Sequence, residues 1–140
     1  MAVLKPGRAL GKLEREIGTL VALQREGLPI PKIFGVTRVR GRPAYVMERF
    51  AQGWKNIVRT TNGKVTVVGS SSFLNARSVD DLKRIRKLMH DKRIWVDDLQ
   101  FLIASDGRVV IADPKGLTIG EKGPSRVNIE TINKLLEVAS

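Results

Sequence analysis

DDLQFLIASDGRVVIAD, at residues 97–113, is the stretch that decides the fold of this chain. Two apolar runs, residues 101–104 and 108–112, flank Ser105-Asp106-Gly107. An Asp-Gly pair between such runs is the strongest short signal for a β-hairpin. Two aspartates precede the first strand and Asp113 follows the second. The sequence therefore predicts a hairpin that brings carboxylates to the same end of its ladder.

Asp97 or Asp98 would meet Asp113 at this end of the hairpin. Two converging carboxylates can hold a divalent metal and its phosphate, or supply a base that works beside the metal. The same residues also suit a structural role, in which Asp97-Asp98 caps a helix exit and Asp113 opens the turn before Pro114. The spacing alone leaves both interpretations open.

Apolar periodicity outside this stretch predicts three amphipathic helices. The first covers residues 10–26 and is ended by Gly27 and the prolines after it. A second helix, with Ser78 and Asp81 as a capping-box pair, runs to Met89, and a third covers residues 128–138. The predicted class is α+β, a small antiparallel sheet packed with two long amphipathic helices and a C-terminal helix.

Turn residues predict two more hairpins. Residues 32–39 and 43–47 flank the turn-like tripeptide Arg40-Gly41-Arg42. Further along, Thr61-Asn62-Gly63 lies between residues 56–58 and 65–68 and marks a small two-stranded insert.

Composition limits what the chain can do. Its 140 residues, 42% of them hydrophobic, suffice for one core. The sequence has no apolar run of the roughly 18 residues that a spanning helix needs, so a soluble domain is expected. The lack of cysteine excludes disulfides, thiolate zinc sites and a cysteine nucleophile. A net charge of +11 favours a partner that carries phosphate or acidic groups.

Five segments, taken in order, resemble a protein kinase reduced to a small size. Ala2-Val3-Leu4-Lys5 resembles the strand that carries the nucleotide-binding lysine, and Glu16 follows where the partner glutamate belongs. Residues 45–50 resemble the hinge. Residues 96–99 and 106–113 resemble the catalytic loop and the metal-binding aspartate that follows it.

The resemblance implies ATP and Mg²⁺ as cofactors and a set of site residues. The implied roles are Lys5 on the α- and β-phosphates, Glu16 holding Lys5, the Glu48 backbone at adenine, Asp98 as the base with Asp97 beside it, Gln100 near the second metal position, and Asp113 on Mg²⁺. It also implies three parts, an N-lobe-like part at 1–53, a hairpin insert at 54–77 and a reduced C-lobe-like part at 78–140.

The chain departs from protein kinases at functional positions. Only four residues precede Lys5, which leaves no room for a Gly-rich loop. Val96 replaces the catalytic-loop histidine, and Pro114 stands where an aromatic residue is usual. Gln100 is the nearest stand-in for the asparagine that holds a second metal ion.

The short form of these motifs is similar to kinase-like domains at the C-terminal ends of bacterial polymorphic and contact-dependent growth inhibition toxins. That resemblance implies delivery as part of a larger secreted or surface protein and action in the cytoplasm of the target cell. It also implies an acidic immunity protein, which the basic domain would attract by electrostatic steering.

Two other functions stay open. His90, the one histidine, could act with Asp97 or Asp98 as an acid/base pair in a ribonuclease that holds RNA on its basic surface. Lys and Arg residues on and after the second helix would supply that surface, or simply form a solvated face. In the third reading the domain is a catalytically inactive kinase-like binding module.

Overall fold

The computed structural model describes residues 2–5, 10–97, 99–112 and 116–140, with side chains from residue 14 onward. Three helices lie in these ranges: α1 (Leu10–Arg25), α2 (Ala76–Asp91) and α3 (Arg126–Ala139). The strands are β1 (Ala2–Lys5), β2 (Ile33–Val39), β3 (Arg42–Glu48), β4 (Gln52–Gly53), β5 (Val58–Thr61), β6 (Lys64–Val67), β7 (Ile94–Trp95), β8 (Gln100–Ile103), β9 (Val109–Ala112) and β10 (Thr118–Ile119). The predicted α+β class, with helices and small antiparallel sheets, is confirmed.

The N-terminal sheet has the strand order β1-β3-β2, with every pair antiparallel. Tyr45 of β3 is opposite Lys5 on one side and Val36 on the other. The turn between β2 and β3 is shorter than predicted, because Val39 pairs with Arg42 and leaves two turn residues. Helix α1 contacts β3, so the strand of Lys5 and the helix of Glu16 adjoin the same central strand.

A second sheet, ordered β4-β8-β9, lies at the centre of the domain. Its hairpin is the one that the sequence predicts, with Ile103 opposite Val109 and Gln100 opposite Ala112. All residues of β9 are buried, which is why that strand is a continuous apolar run. The Asn62-Gly63 hairpin is also confirmed, since Thr61 pairs directly with Lys64.

One buried cluster joins these sheets and helices. It includes Leu23 from the end of α1, Leu28 from the connector that follows, Ile85 and Met89 from α2, and Ile111 from β9. These side chains are at most 2% exposed. The N-terminal sheet is therefore attached to the rest of the domain in part through the end of α1 and the connector that follows it.

Polar contacts surround this attachment. Arg84 of α2 donates to the Gly27 carbonyl at 2.9 Å, and Lys92 pairs with Glu26 at 3.0 Å. The Ile111 amide donates to the Pro29 carbonyl at 2.9 Å. The connector after α1 is thus held by both α2 and β9.

The start of α2 differs from the prediction. Asn75, not Ser78, is the N-cap, and its side-chain oxygen accepts from the Arg77 and Ser78 amides. Ser78 lies one turn inside and completes the capping box by accepting from the Asn75 amide. Its hydroxyl also donates to the Gly107 carbonyl at 2.5 Å, so the buried serine ties α2 to the β8–β9 turn.

No helix in the described ranges is both long and apolar enough to cross a bilayer.

Asn75→Ala is expected to lower the free energy of unfolding by about 1 to 2 kcal/mol, because two α2 amides lose their acceptor. Its bond to the Asp106 carbonyl, at 3.0 Å, is lost as well. Urea denaturation measures the change. Lys83→Ala, on an exposed position of the same helix, is the control and should change stability by less than about 0.5 kcal/mol. Equal effects of the two substitutions would contradict the capping role.

Candidate functional site

The segment around residues 94–100 is held from two sides. Strand β7 pairs with β10, with Trp95 opposite Thr118. Just after β7, the side-chain amide of Asn128 donates to the Val96 carbonyl, and both residues are buried. Leu99, which precedes β8, is also buried. The backbone on each side of position 98 is therefore fixed by β7, α3 and β8.

The chain that leaves the β8–β9 hairpin stays beside this segment. Ala112, the last residue of β9, is paired with Gln100. Gly116 then has a φ of +64°, and a Cβ at this position would overlap the Asp97 carboxylate. Ala112 thus lies beside Gln100, and Gly116 lies beside Asp97. Asp98 and Asp113 themselves lie outside the described residues, so the meeting of their side chains stays a prediction.

Asp97 accepts a hydrogen bond from the Trp95 indole, whose Nε1 is 2.6 Å from Oδ1. The Lys122 ammonium lies 4.3 Å from the centroid of the same ring, a cation–π distance. One oxygen of Asp97 therefore holds the ring of Trp95, and the catalytic roles of Asp97 and Asp98 both stay predictions.

The predicted phosphate-binding pair is divided between β1 and α1. The backbone of Lys5 is paired with Tyr45, and its side chain lies outside the described part of the chain. Glu16 is half-buried on α1. Both β1 and α1 adjoin β3, as a lysine and glutamate pair would require. The roles of Lys5 and Glu16 stay predictions.

Glu48, at the end of β3, joins the two halves of the domain. Its amide donates to the Lys32 carbonyl at 2.8 Å, so its N–H is used within the sheet. One carboxylate oxygen accepts from Arg108 at 2.5 Å, and the other from the Lys32 amide at 3.4 Å. The predicted contact of the Glu48 backbone with adenine would therefore use its carbonyl oxygen.

Burial by itself would raise the pKa of Glu48, but its partners outweigh burial. The hydrogen bonds from Arg108 and the Lys32 amide, together with the positive charges of both residues, hold the pKa below its ordinary value of 4.5. In turn, the bond to Glu48 raises the pKa of Arg108. The ion pair is therefore fully charged at neutral pH.

The other predicted residues lie on α2 and β8. His90 is exposed in the last turn of α2, and Gln100 is half-buried at the start of β8. Most of the basic residues around His90 have partners: besides Arg84 and Lys92, Arg86 donates to Asn133 at 2.7 Å and Lys87 pairs with Asp91 at 2.8 Å. This pattern favours a structural and solvated face over an RNA-binding surface.

The family match agrees with this arrangement. The model of the family described as the type III secretion system effector HopBF1 kinase domain matches residues 1–140. The chain belongs to this family. The expectation of a kinase-like bacterial effector domain is thereby confirmed. The HopBF1 kinase domain is an effector of type III secretion, so the match gives no support to the context of contact-dependent growth inhibition or to an immunity protein.

The search for a metal site covers the described residues only. In the ranges 2–5, 10–97, 99–112 and 116–140, no group of three His, Asp or Glu side chains could hold a metal ion. Asp98 and Asp113 are not in those ranges, so the role of Asp113 as the magnesium ligand stays a prediction.

Asn128 is the site residue that sequence reasoning missed. It precedes Ile132 and Leu135 on the buried stripe of α3, where a polar side chain needs a partner. The pattern could have identified Asn128 as a buried polar residue, but not Val96 as its partner, because 32 residues separate the two.

Gly116→Ala is expected to destabilise the domain more than Gly120→Ala. Both positions have positive φ, so each substitution adds about 1 to 2 kcal/mol of backbone strain. At Gly116 the new methyl group also collides with Asp97, whereas at Gly120 nothing lies within 4 Å. Urea denaturation of both variants compares them, and equal losses would contradict the close approach.

The Glu48–Arg108 pair predicts a pH dependence. Because the folded pKa lies below the ordinary 4.5, its contribution to stability is present above that pH and is lost as the pH falls through the folded pKa. The difference in unfolding free energy between wild type and Glu48→Gln should therefore shrink below about pH 4.5. Glu121→Gln, at an exposed position, is the control and should track wild type. A difference that grows with acid would contradict the assignment.

Proposed function

We propose that this HopBF1 kinase domain is an active phosphotransferase, which moves the terminal phosphoryl group of ATP to a hydroxyl of a protein acceptor. The bond from the acceptor oxygen to the γ-phosphorus forms, and the bond from that phosphorus to the bridging oxygen of ADP breaks. The hydroxyl proton passes to Asp98. Delivery by type III secretion supports action inside the cell that receives the effector.

One observation supports the proposal: the register of β8 and β9, together with the contact of Gly116 and Asp97, brings together described residues that flank the two predicted catalytic positions in the chain. Gln100 faces Ala112, and Gly116 returns to Asp97. The segments that contain Asp98 and Asp113 therefore have neighbouring ends. Phosphoryl transfer needs a base and a metal ligand within a few ångströms of each other.

The donor types fit magnesium. Asp113 and Gln100 offer carboxylate and amide oxygens, the hard ligands that Mg²⁺ prefers. When bound, Mg²⁺ would neutralise charge on the phosphates. Lys5 would hold the α- and β-phosphates from the opposite side, with Glu16 fixing its ammonium group.

The division of the chain belongs to the same proposal. Residues 1–53 would carry the lysine and the hinge, 78–140 the base and the metal ligand, and 54–77 the inserted hairpin. The ion pair of Glu48 and Arg108, at 2.5 Å, supports a hinge that is fixed to the C-lobe-like part.

A transfer assay with γ-labelled ATP tests this function. Asp98→Asn and Asp113→Ala should each lower the rate by about 100-fold or more, since each removes a group that acts on the reacting atoms. Asp106→Asn, in the exposed β8–β9 turn, is the control and should keep most of the activity. Cleavage of RNA that persists in chelator and in Asp113→Ala but is lost in His90→Ala would contradict the proposal and favour the ribonuclease.

Asn128 acts as a positioning residue in this account, because it holds the Val96 carbonyl two residues before the base. Asn128→Ala is expected to lower kcat by about tenfold and to leave the KM for ATP nearly unchanged. Asn133→Ala, at an exposed position of the same helix, should have little effect on kcat. A loss that appears only in the KM for ATP, or only in stability, would contradict the positioning role.

A further inference from the structure

A cavity of about 380 Å³ lies next to the segment that precedes β8. The β5–β6 hairpin and the 3₁₀ turn before it form one wall, and helix α3 forms another. Asp97 and Leu99 both line the cavity. These two residues are the chain neighbours of Asp98, so the cavity begins within one residue of the proposed catalytic position.

Two cations line the cavity. Lys55 and Arg59 are both exposed, and neither has an ion pair within the part of the chain that the structure describes. The Lys55 ammonium lies 5.3 Å from the centroid of the Trp54 ring, which also lines the cavity. The Asp97 carboxylate also lines the cavity, and it already accepts a hydrogen bond from Trp95. The cavity therefore has a net positive lining and two cations that a ligand could engage.

The floor of the cavity is apolar. Val58 and Leu99 are buried and line it. A suitable ligand group has a short aliphatic stem to cover this floor and an anionic end for the cations. Aspartate and glutamate side chains have that form, and carboxylates bind guanidinium groups through charge-assisted hydrogen bonds.

We propose that this cavity binds an acidic side chain of the protein acceptor, next to the hydroxyl that receives the phosphoryl group. The inference rests on the proposed phosphotransfer function. Because residues in a chain lie about 3.8 Å apart, an acceptor hydroxyl at Asp98 puts the neighbouring one or two acceptor residues at the cavity. Arg59 and Lys55 thereby select acceptors with Asp or Glu near the modified residue.

RNA fits this cavity less well than an acidic side chain. Single-stranded nucleic acid needs a row of cations along its backbone and free aromatic faces for its bases. Here Trp54 is the one aromatic residue of the lining, and Lys55 lies over its ring. Competition by RNA is therefore an outcome that the test must exclude.

Binding of three serine peptides tests the proposal. They differ only beside the serine, with Glu, Gln or Lys at that position. Fluorescence anisotropy measures the affinities at about 0.15 M salt. At this ionic strength, interactions between exposed charges that lie far apart are largely screened. The Glu peptide should bind wild type about tenfold more tightly than the Gln peptide, and the Lys peptide more weakly than both.

The matched variants are Arg59→Glu and Lys64→Glu, which make the same kind of charge change on one hairpin. Arg59 lines this cavity and Lys64 does not. Arg59→Glu should weaken binding of the Glu peptide by about tenfold, and Lys64→Glu by less than about twofold. Equal effects of the two variants, equal binding of the Glu and Gln peptides, or displacement of the Glu peptide by single-stranded RNA through Arg59 would overturn the inference.

The same peptides in the transfer assay separate this inference from the function on which it rests. If the Glu peptide binds through Arg59 but no peptide is phosphorylated, the acidic subsite is supported and the phosphotransferase function is rejected. Transfer at equal kcat/KM to the Glu and Gln peptides would keep the phosphotransferase and reject the acidic subsite.

Discussion

Burial of Leu23 and Leu28 against α2 and β9 is the constraint on which the rest of the molecule depends. Both side chains are at most 2% exposed in a cluster that also holds Ile85 and Met89. Truncation of one such leucine in a well-packed core costs about 2 to 5 kcal/mol, a large part of the stability of a small domain. The β8–β9 hairpin contributes side chains to this cluster, and the strand of the predicted phosphate lysine is connected to it through β3 and α1.

Polar contacts convert this burial into a fixed geometry. Arg84 and Lys92 hold the connector after α1, and Arg108 holds Glu48 at the end of β3. The two halves are therefore joined at two places, by the connector after α1 and by the ion pair of Glu48 with Arg108. An arrangement of this kind suits a reaction in which the lysine of one half and the carboxylates of the other must act on the same phosphates.

The sequence predicted the elements whose signals are local. Apolar periodicity identified the three helices, and Asn62-Gly63 and Asp106-Gly107 marked two hairpins. Strands β4, β7 and β10 escaped because each has two residues and exists through a distant partner. The Asn75 cap was missed for a different reason. Asn75 and Ser78 are both suitable N-cap residues, and the contact that engages the Ser78 hydroxyl is with the carbonyl of Gly107, far away in the chain. The predicted site residues depend on the resemblance, and the structure adds their backbone neighbours.

Thermal melting with ATP tests most directly the claim that the two halves form one magnesium–nucleotide site. Mg²⁺-ATP at one hundred times its dissociation constant should stabilise the domain by about 2.7 kcal/mol, and ATP with chelator should give a smaller effect. Lys5→Met and Asp113→Ala should each reduce the shift, because one acts on the phosphates and the other on the metal. A shift of the same size in wild type and in both variants, or no shift with Mg²⁺-ATP, would contradict the account.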